Sequence, residues 1–303
     1  MRTAFLGTSD FAAAVLRDLA AADRAPALVV TPPDSRRGRG RKPGSPPAAG
    51  AARDLDIELL QAGDVNDADA RAAIGAARPE LGLVCAFGQV VAEPLLSELE
   101  MLNVHPSLLP RWRGAAPIER AVMAGDERTG VTIMRLVAEL DAGPVALREE
   151  TAIGSDDYHD VLSARLAEIG ARLLVRALEL RQAGGLELSP QDESLATYAA
   201  KIDPTERRLD PSEDAAALAW RVRALNPHIG TYLELTDGER LGVRRARAVA
   251  DAPPPGEIKQ REDALVLGTP DAGLELQQVQ AAGGRPMAVA EFLRGHPAPV
   301  RAV

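Results

Sequence analysis

The stretch that decides the fold is residues 81–106, LGLVCAFGQVVAEPLLSELEMLNVHP. It opens with an apolar run typical of a buried strand, passes through a short helical segment, and ends in a second apolar run at 101–105. Apolar runs of this kind indicate strands that are covered on both faces, as parallel strands are when helices flank the sheet. The stretch therefore predicts a strand–helix–strand unit of an α/β domain.

The same alternation continues outward in both directions along the chain. Ser9 or Asp10 is placed to cap the first predicted helix, because short polar side chains accept hydrogen bonds from the first free N–H groups. The pattern predicts strands at 3–7, 27–30, 55–60 and 129–138, and helices at 11–22, 66–77, 93–99, 117–124 and 159–182. Strands that alternate with helices indicate a mostly parallel sheet with helices on both faces.

The composition changes near residue 184, where a polar, turn-rich segment begins. A helix is predicted at 215–224, and from Gly230 onward short strands are separated by turn signals. Such spacing is typical of a small β-barrel. We therefore expect a first domain at 1–188, a linker at 189–204 and a second domain at 205–303.

Charge and composition exclude several classes of protein. The chain has 303 residues and a net charge of −9, which argues against a protein that coats nucleic acid along its whole surface. The single cysteine, Cys85, excludes an internal disulfide and a cysteine zinc site, and the four histidines form no HExxH pair, so we expect no metal. The longest charge-free apolar stretch, 81–92, is too short to cross a membrane, and Asp10 leaves no room for a signal-peptide core. We expect a cytoplasmic protein.

Asn103 and His105 are the first candidates for chemistry. Residues i and i+2 of a strand point to one face, and Pro106 ends this strand, so the pair lies where open α/β sheets bind ligands. An amide beside an imidazole suits acyl-type transfer, in which one group stabilises an oxyanion and the other moves a proton. Asp141 follows a later strand and could orient the histidine. On spacing alone, a purely structural role explains these residues at least as well as a catalytic one. Asn103 and His105 fit a capped strand end, and Asp141 fits an Asx turn.

Three further segments carry weaker signals. Residues 107–117, SLLPRWRGAAP, form a stiff proline-bracketed loop that either grips a flat ring or simply connects two elements. The loop at 31–50 is rich in glycine and proline and contains five basic residues and only one acidic residue. This composition suits either a phosphate contact or a solvated loop. Residues 7–11, GTSDF, lack the GxGxxG pattern and argue against NAD, and Phe11 lines a pocket or belongs to the core.

Together these segments resemble the 10-formyltetrahydrofolate-dependent formyltransferases. FLGTSDFA at 5–12 resembles the family's GTPxFA turn, and LVCAFGQVV at 83–91 resembles its AYGxILP segment. The stretch at 102–147, from LNVHPSLLP to LDAGPVAL, matches the catalytic segment almost throughout, and DESLATYAAKI at 192–202 resembles DExxATYAxKI. Ser9, Phe87 and Val91-Ala92 depart from the family's usual proline, tyrosine and Leu-Pro.

The resemblance implies a fold and a set of roles. The fold class is α/β, a Rossmann-like mostly parallel sheet followed by a small OB-like C-terminal β-barrel that binds tRNA. The catalytic residues would be Asn103, His105 and Asp141, and Phe11 would receive a methionine side chain. Folate would be bound by Ser107, Leu108, Leu109, Pro110, Phe87, Gly88, Gln89 and Val90. tRNA would be contacted by Arg36, Arg37, Arg39, Arg41 and Lys42.

The resemblance also implies a reaction. The co-substrate would be 10-formyltetrahydrofolate, with no metal, and the acceptor the methionine of initiator methionyl-tRNA. We expect a monomer that does not bind membranes. A formyltransferase acting on a sugar-nucleotide amine, and a hydrolase that uses water as the acceptor, remain alternatives with the same chemistry.

Overall fold

The structure is a computed structural model that describes residues 1–37 and 42–303. These residues form two compact units. The first comprises Met1–Pro117, Arg128–Ala152 and Ser163–Ala199, and the second comprises Ile118–Glu127, Ile153–Leu162 and Ala200–Val303. The boundaries expected from the sequence, 1–188, 189–204 and 205–303, stay a prediction.

The secondary structure alternates between strands and helices up to residue 182 and is mostly strand after residue 230. The strands are β1 Thr3–Gly7, β2 Leu28–Thr31, β3 Ser35–Arg37, β4 Lys42–Gly44, β5 Leu59–Gln61, β6 Leu81–Cys85, β7 Met101–His105, β8 Arg113–Gly114, β9 Arg128–Arg135, β10 Val145–Ala152, β11 Tyr198–Ala199, β12 Thr231–Glu234, β13 Arg240–Val249, β14 Ile258–Arg261, β15 Ala264–Gly268, β16 Gly273–Gln280 and β17 Met287–Ala288. The α-helices are α1 Asp10–Ala21, α2 Pro47–Asp54, α3 Ala68–Ala76, α4 Leu95–Glu98, α5 Pro117–Met123, α6 His159–Gln182, α7 Ala215–Leu225 and α8 Val289–Gly295.

A seven-stranded sheet forms the centre of the first unit. Its order is β10-β9-β7-β6-β1-β2-β5, and the five strands from β7 to β5 are parallel, whereas β9 and β10 are antiparallel. Every residue of β1, β2, β6 and β7 is buried, so both faces of the sheet are covered. The predicted mostly parallel sheet is confirmed.

Local signals set several of the element ends. The Ser9 side chain accepts a hydrogen bond from the N–H of Ala12 at 3.3 Å, which caps α1 as predicted. The segment at 31–50 was predicted to be a loop in which prolines prevent a helix. Its described residues instead include the paired strands β3 and β4 and the start of α2 at Pro47, so that prediction is wrong. Proline is well suited to the first helical position because its missing N–H has no partner to lose there. Prolines therefore shape this segment without excluding a helix from it.

The second unit contains an antiparallel sheet of six strands in the order β12-β13-β16-β15-β14, with β17 also paired to β16. Its two edge strands both meet the C-terminal residues. Leu235 forms a bridge with Ala302, and Glu257 forms one with Arg301. The chain end thus pairs with both edges and closes the sheet, which agrees with the predicted small barrel.

No helix in the described ranges, 1–37 and 42–303, is long and apolar enough to cross a membrane.

Gly143 gives a test of the packing between β9 and the loop that follows it. A Cβ at this position would lie 1.8 Å from the carbonyl oxygen of Arg135, so the backbone must move to accept alanine. We expect Gly143→Ala to destabilise the fold by about 1–3 kcal/mol. Gly50→Ala is the matched control, because Gly50 lies inside α2 and a Cβ there would meet no side chain or backbone from outside its own helix turn within 4 Å. It should stabilise the fold by about 0.5–1 kcal/mol. Urea unfolding midpoints that move in the same direction would contradict this reading.

Candidate active site

A cavity of about 420 Å³ opens beside the carboxyl ends of β6 and β7 in the first unit. This is the edge at which open α/β sheets bind ligands. Its walls come from the segments after β6, after β7 and after β9. The lining includes Val84, residues 86–91, residues 103–106, Gly114, Ala115, Pro117 and residues 136–141.

The three residues predicted to be catalytic meet in this cavity. Asn103 and His105 are 8% and 4% exposed and lie on β7, which is paired on both sides. Oδ2 of Asp141 lies 3.6 Å from Nδ1 of His105, and the amide of Asn103 donates to Oδ1 of Asp141 at 3.4 Å. The N–H of Gly114 donates to Oδ2 of Asp141 at 2.8 Å. An amide, an imidazole and a carboxylate therefore face one another at the cavity wall.

The imidazole of His105 is held from its other side by the backbone. Nε2 of His105 lies 2.8 Å from the carbonyl oxygen of Trp112. A carbonyl oxygen only accepts, so Nε2 carries the hydrogen in this bond. Nδ1 is consequently the ring atom that faces Asp141, and a proton placed on it lies between the ring and the carboxylate.

A buried arginine supports the loop that carries Asp141. Arg113 is 2% exposed and binds both carboxylate oxygens of Glu193, at 2.7 and 2.8 Å. Its guanidinium also donates to the amide oxygen of Gln191 at 2.8 Å. The amide nitrogen of Gln191 then donates to the carbonyl oxygens of Asp141 and Gly143, at 2.8 and 2.7 Å. Gln191 thereby fixes the backbone of Asp141, whose φ of 48° is uncommon for a residue with a side chain.

Sequence reasoning missed Gln191 and the carbonyl group of Trp112. Gln191 lies 50 residues from Asp141 in the chain, and no local pattern marks it. Trp112 acts through its backbone, which side-chain identity does not report. The only sequence signal was the stretch at 107–117, whose stiffness suggested a defined backbone.

Six of the eight residues predicted to bind folate line one of two cavities. Phe87, Gly88, Gln89 and Val90 line the cavity that contains His105. Leu109 and Pro110 instead line a second cavity, of about 510 Å³, together with Arg148 and Gln191 among others.

Two hydrogen bonds fix the turn that carries Leu109. The hydroxyl of Ser107 donates to the carbonyl oxygen of Arg111 at 2.6 Å, and the hydroxyl of Thr132 donates to the carbonyl oxygen of Ser107 at 2.7 Å. Ser107 and Leu108 are not among the residues that line either cavity.

The remaining predicted residues lie elsewhere. Phe11 is not in the lining of the cavity with His105, and its ring reaches within 4.0 Å of the Cβ position of Gly170 in α6. Arg36 and Arg37 belong to β3, and Lys42 belongs to β4, where Arg37 pairs with Lys42. Arg39 and Arg41 lie outside the described residues.

Comparison with known proteins finds relatives that match nearly the whole chain. The Formyl transferase family matches residues 1–178, and the family described as Formyl transferase, C-terminal domain, matches residues 201–297. A protein of Methylococcus capsulatus named methionyl-tRNA formyltransferase is 40% identical over 300 residues, which cover 98% of this chain and 97% of that protein. A protein of the same name from Methylobacillus flagellatus is 39% identical, with coverage of 98% and 97%.

Solved structures share the fold at lower identity. HypX from Aquifex aeolicus, solved in complex with tetrahydrofolic acid, superposes with a TM-score of 0.66 at 19% identity. The match covers all of this chain and 51% of HypX. With both family domains matched in order, and with full-length relatives near 40% identity, the chain belongs to the formyl transferase family.

Proposed function

We propose that this enzyme transfers the formyl group of 10-formyltetrahydrofolate to the α-amino group of methionine on initiator methionyl-tRNA. The observation that carries the proposal is the meeting of Asn103, His105 and Asp141 at one cavity wall. The names of the full-length relatives point to the same acceptor. The product, N-formylmethionyl-tRNA, serves translation initiation.

The cavity beside His105 is our proposed site for the folate. It has the size of a small-molecule site, and apolar side chains predominate in its lining with a few polar groups converging on it. The backbone at 86–91 and at 136–141 forms two of its walls, and the N–H and C=O groups there suit the edge of a flat heteroaromatic ring. Leu109 and Pro110 would then contact another part of the folate or only support the site.

The chemistry requires one new bond and one broken bond. The amine nitrogen of methionine attacks the formyl carbon, and a tetrahedral intermediate with a negative oxygen forms. The bond from this carbon to N10 of the folate then breaks, and the proton lost by the amine reaches N10. Esterification to tRNA lowers the basicity of the amine, so a larger fraction is neutral and nucleophilic near pH 7.

The three residues divide this work. The amide of Asn103 donates toward the oxyanion, and an amide donor of this kind is worth about 10²–10³-fold in rate. His105 holds the moving proton, because its Nδ1 faces Asp141 and its Nε2 is anchored on the carbonyl group of Trp112. Asp141 keeps the ring in that orientation and stabilises it when it is charged. No covalent intermediate with the enzyme is needed.

One assay separates this function from its alternatives. The enzyme is incubated with 10-formyltetrahydrofolate with and without methionyl-tRNA, and both formyl-methionine and free tetrahydrofolate are measured. We expect tetrahydrofolate to be released only with methionyl-tRNA and in equal amount to the product. Equal release in both conditions would identify a hydrolase, and release that depends on a sugar-nucleotide amine instead would identify that class of formyltransferase.

Gln191 provides a test of how the Asp141 loop is positioned. Gln191→Glu has the same shape and still accepts from Arg113, but it loses the two hydrogen bonds to the carbonyl groups of the loop. We expect kcat to fall by about 10²-fold, because small displacements of reacting groups cost that much. The KM for folate should change little.

Glu193→Gln is the matched control for that prediction. It weakens the pairing with Arg113 at an exposed carboxylate and leaves the bonds from Gln191 to the loop in place. Its kcat should stay near that of the unmodified enzyme. Equal kcat values for Gln191→Glu and the unmodified enzyme would show that the loop is held by other contacts.

The remaining parts of the proposal concern organisation. We propose a catalytic domain at 1–188, a linker at 189–204 and a tRNA-binding barrel at 205–303, acting as a cytoplasmic monomer. Phe11 is proposed to receive the methionine side chain. Light scattering coupled to size-exclusion chromatography measures the mass of the protein in solution. A mass near twice the 32.0 kDa of one chain would show a dimer and contradict the proposed monomer.

A further inference from the structure

Three side chains that are far apart in the sequence meet in the second unit. Glu119 lies on α5, His159 is the first residue of α6, and His228 follows α7. One possible ligand atom from each lies within 4.8 Å of the other two. The absence of an HExxH pair predicted no metal site, but that rule detects only ligands on a single helix.

Both imidazoles point the same ring atom at the same carboxylate oxygen. Oε1 of Glu119 lies 3.0 Å from Nε2 of His228 and 3.5 Å from Nε2 of His159. The carboxylate side chain is only 14% exposed, and that of His159 is 17% exposed. His228 is the most open of the three, at 32%. Glu119 and His159 are thus mostly covered, and His228 is the member most accessible to solvent.

The three groups are donors of the kinds that a cation binds. Oε1 of Glu119 lies within 3.5 Å of Nε2 of both His159 and His228. Imidazole nitrogens and a carboxylate oxygen that converge on one point are the donor types that transition-metal ions prefer.

We propose that Glu119, His159 and His228 bind a divalent transition-metal ion of the Zn²⁺ class. Two imidazoles and one carboxylate are a common ligand set for zinc, with water in the fourth position. Metal–ligand bonds of about 2.0–2.1 Å place tetrahedral ligand atoms about 3.3 Å apart. The two distances from Oε1 of Glu119, 3.0 and 3.5 Å, lie on either side of that value.

Binding requires one local movement. The two imidazole rings are stacked, with centroids 3.7 Å apart and planes 24° from parallel. Rings bound to one tetrahedral ion diverge from it, so one ring must swing outward. His228 is the ring that can do so, because its side chain is the most exposed of the three. The ion then joins three chain segments, and the open side leaves room for water as the fourth ligand.

The test uses the full chain without a histidine tag and ZnCl₂ as the probe in isothermal titration calorimetry. We expect one Zn²⁺ per chain. Glu119→Gln, His159→Ala and His228→Ala should each weaken Zn²⁺ binding by more than about 100-fold. Loss of a group that only supports a ligand costs about 10–100-fold, and loss of a ligand itself should cost more. His296→Ala is the matched control, since it removes a histidine that stacks on Phe292 and is not part of the cluster.

Two results would overturn the proposal. One is the absence of Zn²⁺ binding to the unmodified chain, and the other is unchanged binding in all three variants. X-ray absorption at the zinc edge uses the unmodified chain, so it tests the site even if a variant fails to fold. The spectrum should show two imidazoles, with N and O ligand atoms at about 2.0 Å from the zinc. Ligand atoms that are all oxygen would contradict the proposed site. Neither measurement depends on formyl transfer, so the outcome is independent of the proposed reaction.

Discussion

His105→Ala and Asp141→Asn should each lower the rate of formyl transfer by about 10²–10⁴-fold, the usual contribution of a positioned acid–base group. In His105→Ala the proton released by the amine loses its acceptor at the cavity. In Asp141→Asn the ring keeps its bond to the carbonyl group of Trp112 but faces a neutral amide in place of a carboxylate. The measurement is single-turnover formation of formyl-methionyl-tRNA at saturating folate.

Both variants should remain folded. The N–H of Gly114 can still donate to the side-chain oxygen of an asparagine at position 141, and β7 keeps its pairing with β6 and β9 when His105 is shortened. Far-ultraviolet circular dichroism and the thermal midpoint check this. His296→Ala serves as the control for loss of a histidine outside the cavity. Turnover close to normal in either variant would remove that residue from the mechanism.

The site could be anticipated where its residues obey a local rule. Asn103 and His105 are two apart on a strand whose ends were predicted as they are found, and Pro106 marked its carboxyl end. The long helix α6, predicted at 159–182, also has the predicted bounds because its apolar spacing is regular over many turns. Periodicity and chain breakers thus located both the sheet edge and the candidate pair.

The remaining features depend on contacts between distant segments. The bonds from Gln191 to the Asp141 loop and the meeting of Glu119 with His159 and His228 exist only after the chain has folded. β10 was missed because it is an edge strand that is only partly buried and rich in charged residues, so its apolar pattern is weak. The β3–β4 pair was missed because β4 consists of lysine, proline and glycine, which are all depleted in strands.

Replacing Arg36, Arg37, Arg39, Arg41 and Lys42 by alanine should flatten the salt dependence of tRNA binding. Each phosphate contact contributes about 0.7–0.9 to the slope of log K against log[salt], so five contacts would account for about 3.5–4.5 units. Over a fourfold rise in salt, that slope corresponds to about a 10²–10³-fold loss of affinity in the unmodified enzyme. The five-residue variant should bind tRNA weakly at low salt and show little of this loss.

The antiparallel pairing of β3 and β4 sharpens that expectation. It pairs the backbone of Arg37 with that of Lys42, so these two residues lie side by side on neighbouring strands. We therefore expect the basic positions to contact neighbouring phosphates of one strand and to act as a group.

A variant lacking four exposed arginines elsewhere in the first unit, Arg17, Arg128, Arg172 and Arg176, controls for the change in net charge. If the basic segment is the main contact, the change in slope per charge removed is much larger in the five-residue variant than in the control variant. Folate binding is unchanged in both variants. Equal slopes per charge would mean that tRNA is held by the general field of the protein. That outcome is difficult to reconcile with a chain whose net charge is −9, because only a local positive surface can attract a polyanion to such a molecule.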